Sequence, residues 1–415
     1  MKKVLSYILV ILCIFITFYV VKKLNVYFSN YSEKKTVIKF SSWGSQSEVT
    51  ILKNIIKEYE NENPDIKIEF IHVPQNYFQK IHLLFASGLE PDVIFINNRY
   101  IQMYITAGLL ENLTPYIIKD KTNYYNEALD CFSFKGKIYA IPRDISNLVI
   151  YYNKDIFKNA KISVPQKIKN INELKELAEK LTNRYHYGIN TEDTDLYWLY
   201  FLSAQGTGAL SDDKKNIIIN SEKSINALNL YSDFSNKYNI SPTKAQIGSM
   251  TTAQMFVNKK LAMYVSGRWM VPKFREAVNF DWDIMEFPSA NENRLYIDAS
   301  GWAVSKKSKN KQAAIDFVQY LSSQSSIEKL TSTGLIIPAR KDIAQSNIFL
   351  DKTKKPFHSE IFLNSLQYSK PTPVNENYPE INDILNEKAL LIINNKHGAK
   401  EVFDEKTIKK LESLL

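Results

Sequence analysis

Strand and helix patterns alternate over residues 37–96, and this order restricts the possible folds more than any other feature of the chain. Val37–Phe40 and Ile66–Val73 are predicted strands, and Asp92–Ile96 is a continuous apolar run typical of a strand buried on both faces. Helical patterns lie between them, and a β-α-β-α-β order favours a parallel sheet covered by helices. Ligands of such sheets bind outside the carboxyl ends of the strands, where the loops 41–46 and 97–99 fall.

The first helical pattern begins with a recognisable start signal. Ser45 is followed three residues later by Glu48, which is the capping-box pattern. In that motif the Glu side chain turns back to bond the backbone of the N-cap residue. We therefore expect Glu48 to serve the helix terminus.

The length and charge of the chain limit its class. With 415 residues the chain exceeds the size at which one core keeps growing, so two lobes are expected. The net charge is +9, and four of these charges are lysines within residues 1–31, which contain no acid. The other lysines alternate with acids along the chain, a pattern typical of a solvated surface. We therefore expect no nucleic-acid partner.

The N-terminal segment predicts export. Lys2 and Lys3 precede an uncharged apolar run, Val4–Val21, which is long enough to span a bilayer as a helix. A basic start before an apolar run is also typical of an export signal. We assign residues 1–31 to a signal-anchor or signal peptide with its tether, so the body lies at the outer face of the cytoplasmic membrane or in the periplasm. With Cys13 in this segment, Cys131 is the one thiol of the body, which excludes an internal disulfide there.

The sequence carries no signature of catalysis. It has no Gly-rich phosphate loop, no Gly-x-Ser-x-Gly and no His-Glu-x-x-His, and its five histidines lack metal-ligand spacing. We therefore predict a protein that is not an enzyme and has no cofactor and no metal. A pair of carboxylates distant in the chain, as in glycosidases, stays open at this level.

The positions of the tryptophans indicate a binding surface. Trp43, Trp269 and Trp302 lie at predicted ends of strands beside glycines, in Trp43-Gly44, Gly267-Arg268-Trp269 and Gly301-Trp302. A ring beside glycine suits a rigid platform that another molecule approaches closely. Sugars have an apolar C–H face and a rim of hydroxyls, so they pair with aromatic planes and nearby polar groups. Core packing is the alternative role for each ring.

At these residues the chain resembles the family 1 extracellular solute-binding proteins of ABC importers, which include the maltodextrin and multiple-sugar binding proteins. The likeness covers about residues 36–415 and depends on the order of several short segments. They are Ile38–Gly44, Pro91–Phe95, Gly136–Pro142 with Tyr151–Phe157, Ala262–Met263, Gly267–Trp269, Ser300–Lys306, Lys311–Leu321 and Gly334–Arg340. Two departures are Ser300, where the family often has glycine, and the bulky Leu12 before Cys13, which does not fit a lipid-attachment site.

The resemblance implies a fold and a mode of action. The fold is α/β and two-lobed, like that of the type II periplasmic binding proteins, with several hinge crossings and a preceding N-terminal apolar helix. Lobe one would hold residues 36–145 and 300–322, and lobe two residues 146–299 and 323–415. The chain would act as a monomer that closes on a sugar or oligosaccharide and delivers it to the membrane subunits of an ABC permease.

The candidate ligand contacts combine aromatic platforms with polar groups near strand ends. Trp43 and Trp269 are expected to stack on the sugar, one from each lobe. Arg143 and Asp144 have two open roles, as hydroxyl ligands or as an ion pair that braces the hinge. The full set is Trp43, Asn97, Arg99, Arg143, Asp144, Trp198, Arg268, Trp269, Ser300 and Trp302.

Other functions remain open at this level. Within binding, the ligand could be a polyol, a sugar phosphate or a polyamine, although the candidate loops contain more Trp, Asn and Arg than acid, which disfavours a polyamine. A membrane-tethered sensor component that is not linked to transport is a different class. A secreted carbohydrate-active enzyme is a third.

Overall fold

A computed structural model describes residues 12, 14–23, 35–289 and 295–415. Residues 14–23 are helical, and their apolar side chains are exposed. Within the described residues, no helix combines the length and the apolar character needed to cross a bilayer. Half of the predicted span Val4–Val21 lies outside these residues, and the predicted N-terminal apolar helix is not confirmed.

The strands of the body are mostly short. They are β1 (Thr36–Ser42), β2 (Ile66–His72), β3 (Val93–Asn97), β4 (Ser133–Phe134), β5 (Lys137–Ile138), β6 (Ile141–Ser146), β7 (Val149–Asn153), β8 (Met263–Ser266), β9 (Trp282–Met285), β10 (Leu295–Val304), β11 (Ile337–Pro338) and β12 (Ser369–Pro371).

Helices occupy much of the rest of the chain. They are α1 (Gln46–Glu62), α2 (Tyr77–Ala86), α3 (Asn98–Thr106), α4 (Thr114–Ile117), α5 (Asn126–Cys131), α6 (Lys154–Asn159), α7 (Ile171–Leu181), α8 (Asp195–Ala204), α9 (Glu222–Asn236), α10 (Lys244–Ile247), α11 (Thr252–Val257), α12 (Val271–Ala277), α13 (Lys311–Leu321), α14 (Gln324–Ser332), α15 (Lys341–Ala344), α16 (Ile361–Asn364), α17 (Tyr378–Ile393), α18 (Ala399–Val402) and α19 (Glu405–Glu412). Short 3₁₀ turns cover Lys121–Asn123, Arg268–Met270 and Ser365–Tyr368.

The larger sheet forms the frame of lobe one. Within the described residues it has seven strands, in the order β11-β6-β10-β3-β1-β2, with β12 paired to β10. β1 is parallel to both β2 and β3, as the alternating pattern predicts. β10 is antiparallel to both β3 and β6, so it returns through the middle of the sheet. Helices α1 and α13 pack against this sheet.

The smaller sheet forms the frame of lobe two. Its order is β8-β7-β9, and both neighbours run antiparallel to β7. Alternate residues of β7 enter different cores: Ile150 and Tyr152 pack in one, and Val149 and Tyr151 in the other. This alternation follows from the two-residue period of a strand, and it buries the sheet on both faces.

The hydrophobic side chains form three clusters. One lies in lobe one, from Ile38 to Ile145 and from Ile297 to Ile343, with Leu366 added. The other two cover the two faces of the smaller sheet. The packing differs from the predicted boundary between the lobes. Ile327, Leu330 and Ile343 lie in residues 323–415, which are predicted to belong to lobe two, but they pack in the lobe-one core. The reason is that β11 pairs with β6 at the edge of the larger sheet.

The predicted capping box at the start of α1 forms only in part. Ser45 caps α1 as expected, by accepting a bond from the backbone N–H of Glu48. The Glu48 carboxylate does not complete the capping box, because it pairs with Arg143 of lobe one.

Gly301 stands where β10 and β6 approach most closely. The register shifts between Ser300 and Gly301, which marks a bulge. A Cβ atom on Gly301 would lie 2.5 Å from the carbonyl oxygen of Ile141. We expect Gly301→Ala to lower the free energy of unfolding by about 1–2 kcal/mol, because the two strands must separate. Urea unfolding measures the change, and Gly398→Ala is the control, since a Cβ there meets nothing within 4 Å and should change stability little.

Candidate functional site: the facing edges of two lobes

The strand ends of lobe one meet at a single edge of the larger sheet. β1 and β3 are parallel, and β3 and β6 are both antiparallel to β10. The carboxyl ends of β1, β3 and β6, at Ser42, Asn97 and Ser146, therefore lie at the same edge. The loop that carries Trp43 follows the first of these ends.

Lobe two presents the corresponding edge of its sheet. β8 is antiparallel to β7, and its last residue, Ser266, pairs with Val149 at the start of β7. Only two residues separate Val149 from the end of β6 at Ser146. The end of β8 and the turn that carries Trp269 therefore lie beside the crossing between the lobes. The two edges, taken together, form the candidate site.

Trp43 is the exposed aromatic side chain of the lobe-one edge. It is 44% exposed, and its ring is tilted against Phe95 at a centroid distance of 5.5 Å. The next residue, Gly44, has a φ of +135°, which side chains rarely tolerate. The His72 Nε2–H donates to the Gly44 carbonyl oxygen at 3.0 Å and steadies the loop. The ring is therefore held on a defined loop and is partly open to solvent.

Trp269 is the aromatic side chain of the lobe-two edge. It lies on the 3₁₀ turn after β8, is partly buried and packs against one core of lobe two. Its ring covers Gly267 so closely that a Cβ atom there would lie 2.0 Å from a ring carbon. The Gly267 carbonyl accepts a bond from the buried Tyr151 hydroxyl at 2.8 Å. Gly267 thus leaves the space that the Trp269 indole occupies.

Arg143 and Asp144 form an ion pair that also includes Glu48. The Arg143 Nε donates to Asp144 at 2.6 Å, and its Nη1 donates to Glu48 at 2.6 Å. Burial alone lowers the pKa of Arg143, but the two carboxylates outweigh it and hold that pKa above the usual value. This is the geometry of the bracing role, and a contact of these groups with a ligand stays a prediction.

The network extends to the aromatic residues of the same edge. The Arg143 guanidinium lies over the rings of Phe95 and Trp302, at 5.1 and 5.3 Å. Since Trp43 also packs on Phe95, these side chains form one continuous patch. The backbone N–H of Ser300 donates to Asp144 at 3.2 Å, so this predicted residue joins the network through its backbone.

Arg99 lies between two carboxylates from different parts of the chain. Its Nε donates to Asp298 at 2.8 Å, and its Nη1 contacts Asp195 at the start of α8. Burial alone lowers the pKa of Arg99, but the Asp298 carboxylate together with the nearby Tyr378 and Tyr100 outweighs it and raises the pKa. Asn97, at the end of β3, caps α3 by position, and its Oδ1 is buried without a hydrogen-bond partner.

Two of the predicted tryptophans lie in hydrophobic cores. Trp198 is fully buried in lobe two, where its Nε1 donates to Asn386 at 3.2 Å. Trp302 is fully buried in lobe one against Phe40 and Phe95. Neither ring has a face open to solvent in this structure. Their predicted contact with a ligand therefore has no geometric support, because each ring fills the core that its strand or helix covers.

Arg268 is likewise interior. It is 2% exposed and lies over Phe349 at 4.0 Å, with Ser359 as a hydrogen-bond acceptor at 3.1 Å. Burial lowers the pKa of this guanidinium to about 9. The structure therefore places Arg268 beneath the Trp269 turn, where it supports the turn.

Several polar residues of the two edges were not found from the sequence. Asp195 and Tyr197 begin α8, and the Tyr197 hydroxyl lies 3.2 Å from the Ser266 hydroxyl at the end of β8. Asp298 lies on β10, far from Arg99 in the chain. No local pattern connects these residues, so only the pairing of strands could reveal them. His72 lies near the end of the predicted strand Ile66–Val73, which was the one available signal.

Comparison with known proteins identifies the family. The sequence model described as bacterial extracellular solute-binding protein matches residues 54–356, well over half of the chain. The chain belongs to this family of bacterial extracellular solute-binding proteins. Membership confirms the resemblance seen in the sequence and the two-lobed α/β fold. It also confirms the prediction that the protein is a binding protein and not an enzyme. It also supports export of the body from the cytoplasm.

Individual relatives agree with this assignment. The multiple sugar-binding protein of Streptococcus mutans is 28% identical over 326 residues, 72% of this chain and 74% of that protein. The galactooligosaccharide-binding protein of Bacillus subtilis is 22% identical over 82% of this chain and 80% of its own. Among solved structures, an ABC substrate-binding protein of Listeria monocytogenes in complex with cycloalternan superposes with a TM-score of 0.81 at 28% identity. The match covers 91% of this chain and 97% of that one.

Proposed function

We propose that this solute-binding protein binds a sugar or oligosaccharide between its two lobes and delivers it to the permease of an ABC importer. The observation that carries the proposal is the placement of Trp43 and Trp269 on edges that lie on either side of the crossing. Indole rings from opposite sides suit a ligand with flat apolar C–H faces. The hydroxyl groups of such a ligand would find polar partners in Asn97, Tyr197 and Ser266.

The charges around the site favour a neutral ligand. Arg99 already contacts Asp195 and Asp298, and Arg143 already contacts Glu48 and Asp144. A phosphate or carboxylate ligand would have to compete with these carboxylates for each guanidinium. Neutral hydroxyl groups need no unpaired cation. We therefore place sugar phosphates behind neutral sugars among the possible ligands.

Relatives support the same class of ligand. The names of the Streptococcus mutans and Bacillus subtilis relatives refer to multiple sugars and galactooligosaccharides, and the Listeria monocytogenes structure holds cycloalternan. Closure of the lobes around the sugar would create the surface that the permease subunits recognise. The protein would act as a monomer, and Val4–Val21 would hold it at the outer face of the membrane as an uncleaved anchor.

A ligand screen tests the proposal. Thermal unfolding of the purified protein is followed with neutral mono- and oligosaccharides, polyols, sugar phosphates and polyamines, and each hit is measured by calorimetry. We expect a neutral saccharide to raise the midpoint, because it binds only the folded clamp. The saccharide should be recovered intact after incubation, which distinguishes a binding protein from a glycosidase.

Two outcomes would contradict the proposal. One is stabilisation by a polyamine or a sugar phosphate with no response to any neutral saccharide. The other is saccharide binding that survives unchanged in the double variant Trp43→Ala, Trp269→Ala. Retention of the mature N terminus on the exported protein, read by mass spectrometry, tests the anchor separately.

A further inference from the structure

The Asp298 carboxylate marks the point where β10 passes from one lobe to the other. Leu295 and Tyr296 of this strand pack in a core of lobe two, and Ile297 and Ala299 pack in the core of lobe one. Asp298 stands between them, so its carboxylate has a fixed position relative to the crossing.

Three hydrogen-bond donors surround this carboxylate. Asn98 donates to its Oδ1 at 2.9 Å, and Arg99 donates to its Oδ2 at 2.8 Å. Thr372, just after β12, donates to Oδ1 at 2.9 Å. Because the Arg99 Nε donates to Asp298 on β10, the guanidinium is held in one orientation. Its Nη1 points away from Asp298.

The Nη1 atom of Arg99 contacts lobe two. Its Nη1 contacts the carboxylate of Asp195, the first residue of α8, and α8 packs in a core of lobe two. The side chains of Arg99 and Asp195 are only 11% and 17% exposed, so water screens this pair less than an open surface pair. The pair therefore joins an anchored residue of lobe one to a helix start of lobe two.

A second contact lies beside the pair. α3 of lobe one packs against α17, and Tyr378 at the start of α17 belongs to a core of lobe two. Burial raises the pKa of Tyr378 to about 12, while the nearby Arg99 cation acts in the opposite direction. Arg99 thus faces two elements of lobe two: α8 through Asp195 and α17 through Tyr378.

We infer that the Arg99–Asp195 pair is a latch that holds the two lobes together before any ligand binds. A latch across the lobes stabilises the closed arrangement and leaves the open one without this contact. By linkage, a ligand that binds the closed state then binds more tightly, because less of its binding free energy is used for closure. The last consequence depends on the proposed ligand-binding function, whereas the latch itself does not.

The test begins without ligand. Small-angle scattering of the full protein is compared between the wild type and Asp195→Asn, which keeps the shape of the side chain and removes its charge. We expect a larger radius of gyration for the unliganded variant. Asp233→Asn is the control, since Asp233 near the end of α9 pairs at 4.0 Å with Lys237, the residue just after the helix, and both belong to one lobe. The control should scatter like the wild type.

Affinity provides the second measurement. With a saccharide found in the screen, we expect Asp195→Asn to weaken binding about fivefold, the scale of one partly buried ion pair. Scattering at saturating saccharide should return to the wild-type curve, which shows that the variant is folded and closes. Arg99→Gln should weaken binding too, and adding Asp195→Asn to it should change the affinity little further.

The outcomes separate the latch from the ligand. An unliganded radius of gyration equal to that of the wild type overturns the latch, even if sugars bind. Tighter saccharide binding by Asp195→Asn also overturns it, because the pair would then oppose closure on the ligand. If no saccharide binds but the unliganded variant is more open, the latch stands and the proposed function fails.

Discussion

Replacement of Arg143 by Met is expected to lower the free energy of unfolding by about 3–5 kcal/mol, the largest stability effect we predict for a single change. Arg143 lies between Asp144 and Glu48, whose side chains are 5% and 8% exposed. Removing the cation leaves two carboxylates buried close together without a counter-charge, and each loses a strong hydrogen bond. Urea unfolding followed by far-UV circular dichroism measures the loss.

A compensated variant distinguishes this charge effect from lost packing. If Glu48→Gln and Asp144→Asn accompany Arg143→Met, the buried charges are gone, and we expect at least half of the lost stability to return. Lys67→Met is the matched control, since Lys67 pairs with Glu60 at the surface and 56% of the Lys67 side chain is exposed. We expect it to change the free energy of unfolding by less than about 1 kcal/mol. A drop for Arg143→Met no greater than that of the control would contradict the prediction.

Replacement of Trp269 by Ala is expected to weaken saccharide binding about 30-fold, or about 2 kcal/mol, the scale of a lost aromatic anchor. The ring packs closely against Gly267 at the edge of lobe two, so its position is set before the ligand arrives. Such a preordered ring contributes its stacking free energy with little ordering cost. Isothermal titration calorimetry measures the change, and an affinity within threefold of the wild type would remove Trp269 from the site.

The position of the ring can be tested apart from its presence. Gly267→Ala keeps the indole but places a methyl group where the ring lies, so we expect a similar loss of affinity. Trp282→Phe is the control, because Trp282 is a buried residue of β9, only 1% exposed, and is not one of the candidate ligand contacts. It should change stability more than affinity. Full affinity in Gly267→Ala would show that the close packing of the indole on Gly267 is not needed.

Local signals predicted the elements that surround the site. The β-branched runs before Ser42 and Asn97 and the apolar stripes between them are periodic, and periodicity survives in any tertiary context that buries one face. The glycines beside Trp43 and Trp269 were also informative: Gly44 has a φ of +135°, which side chains rarely tolerate, and Gly267 leaves room for the Trp269 ring. These two rings were therefore correctly singled out as features of strand ends, while their contact with a ligand stays a prediction.

The same local rule could not separate Trp302 from Trp43. Both stand beside glycine at the end of a predicted extended segment, but Trp302 points into the core between Phe40 and Phe95. Which face a strand residue occupies depends on the register of β10 between β3 and β6, and a shift of one residue would reverse it. Trp198 was ambiguous for a related reason, because α8 is apolar on all sides.

The sequence by itself determined the main strands and helices around the site and the positions of Trp43 and Trp269 just after strands, since each depends on neighbours within a few residues. The two-lobed class followed from the length of the chain and from its resemblance to a known family. Only the tertiary structure decided which charges meet. The sequence pattern predicted that Glu48 would bond a backbone N–H at the start of α1. In the structure it pairs instead with the buried Arg143, because an ion pair with hydrogen bonds is stronger than one bond to the backbone. Arg99, Asp195 and Asp298 come from three distant segments, and their meeting depends on how β10 crosses between the lobes, which no short stretch of sequence encodes.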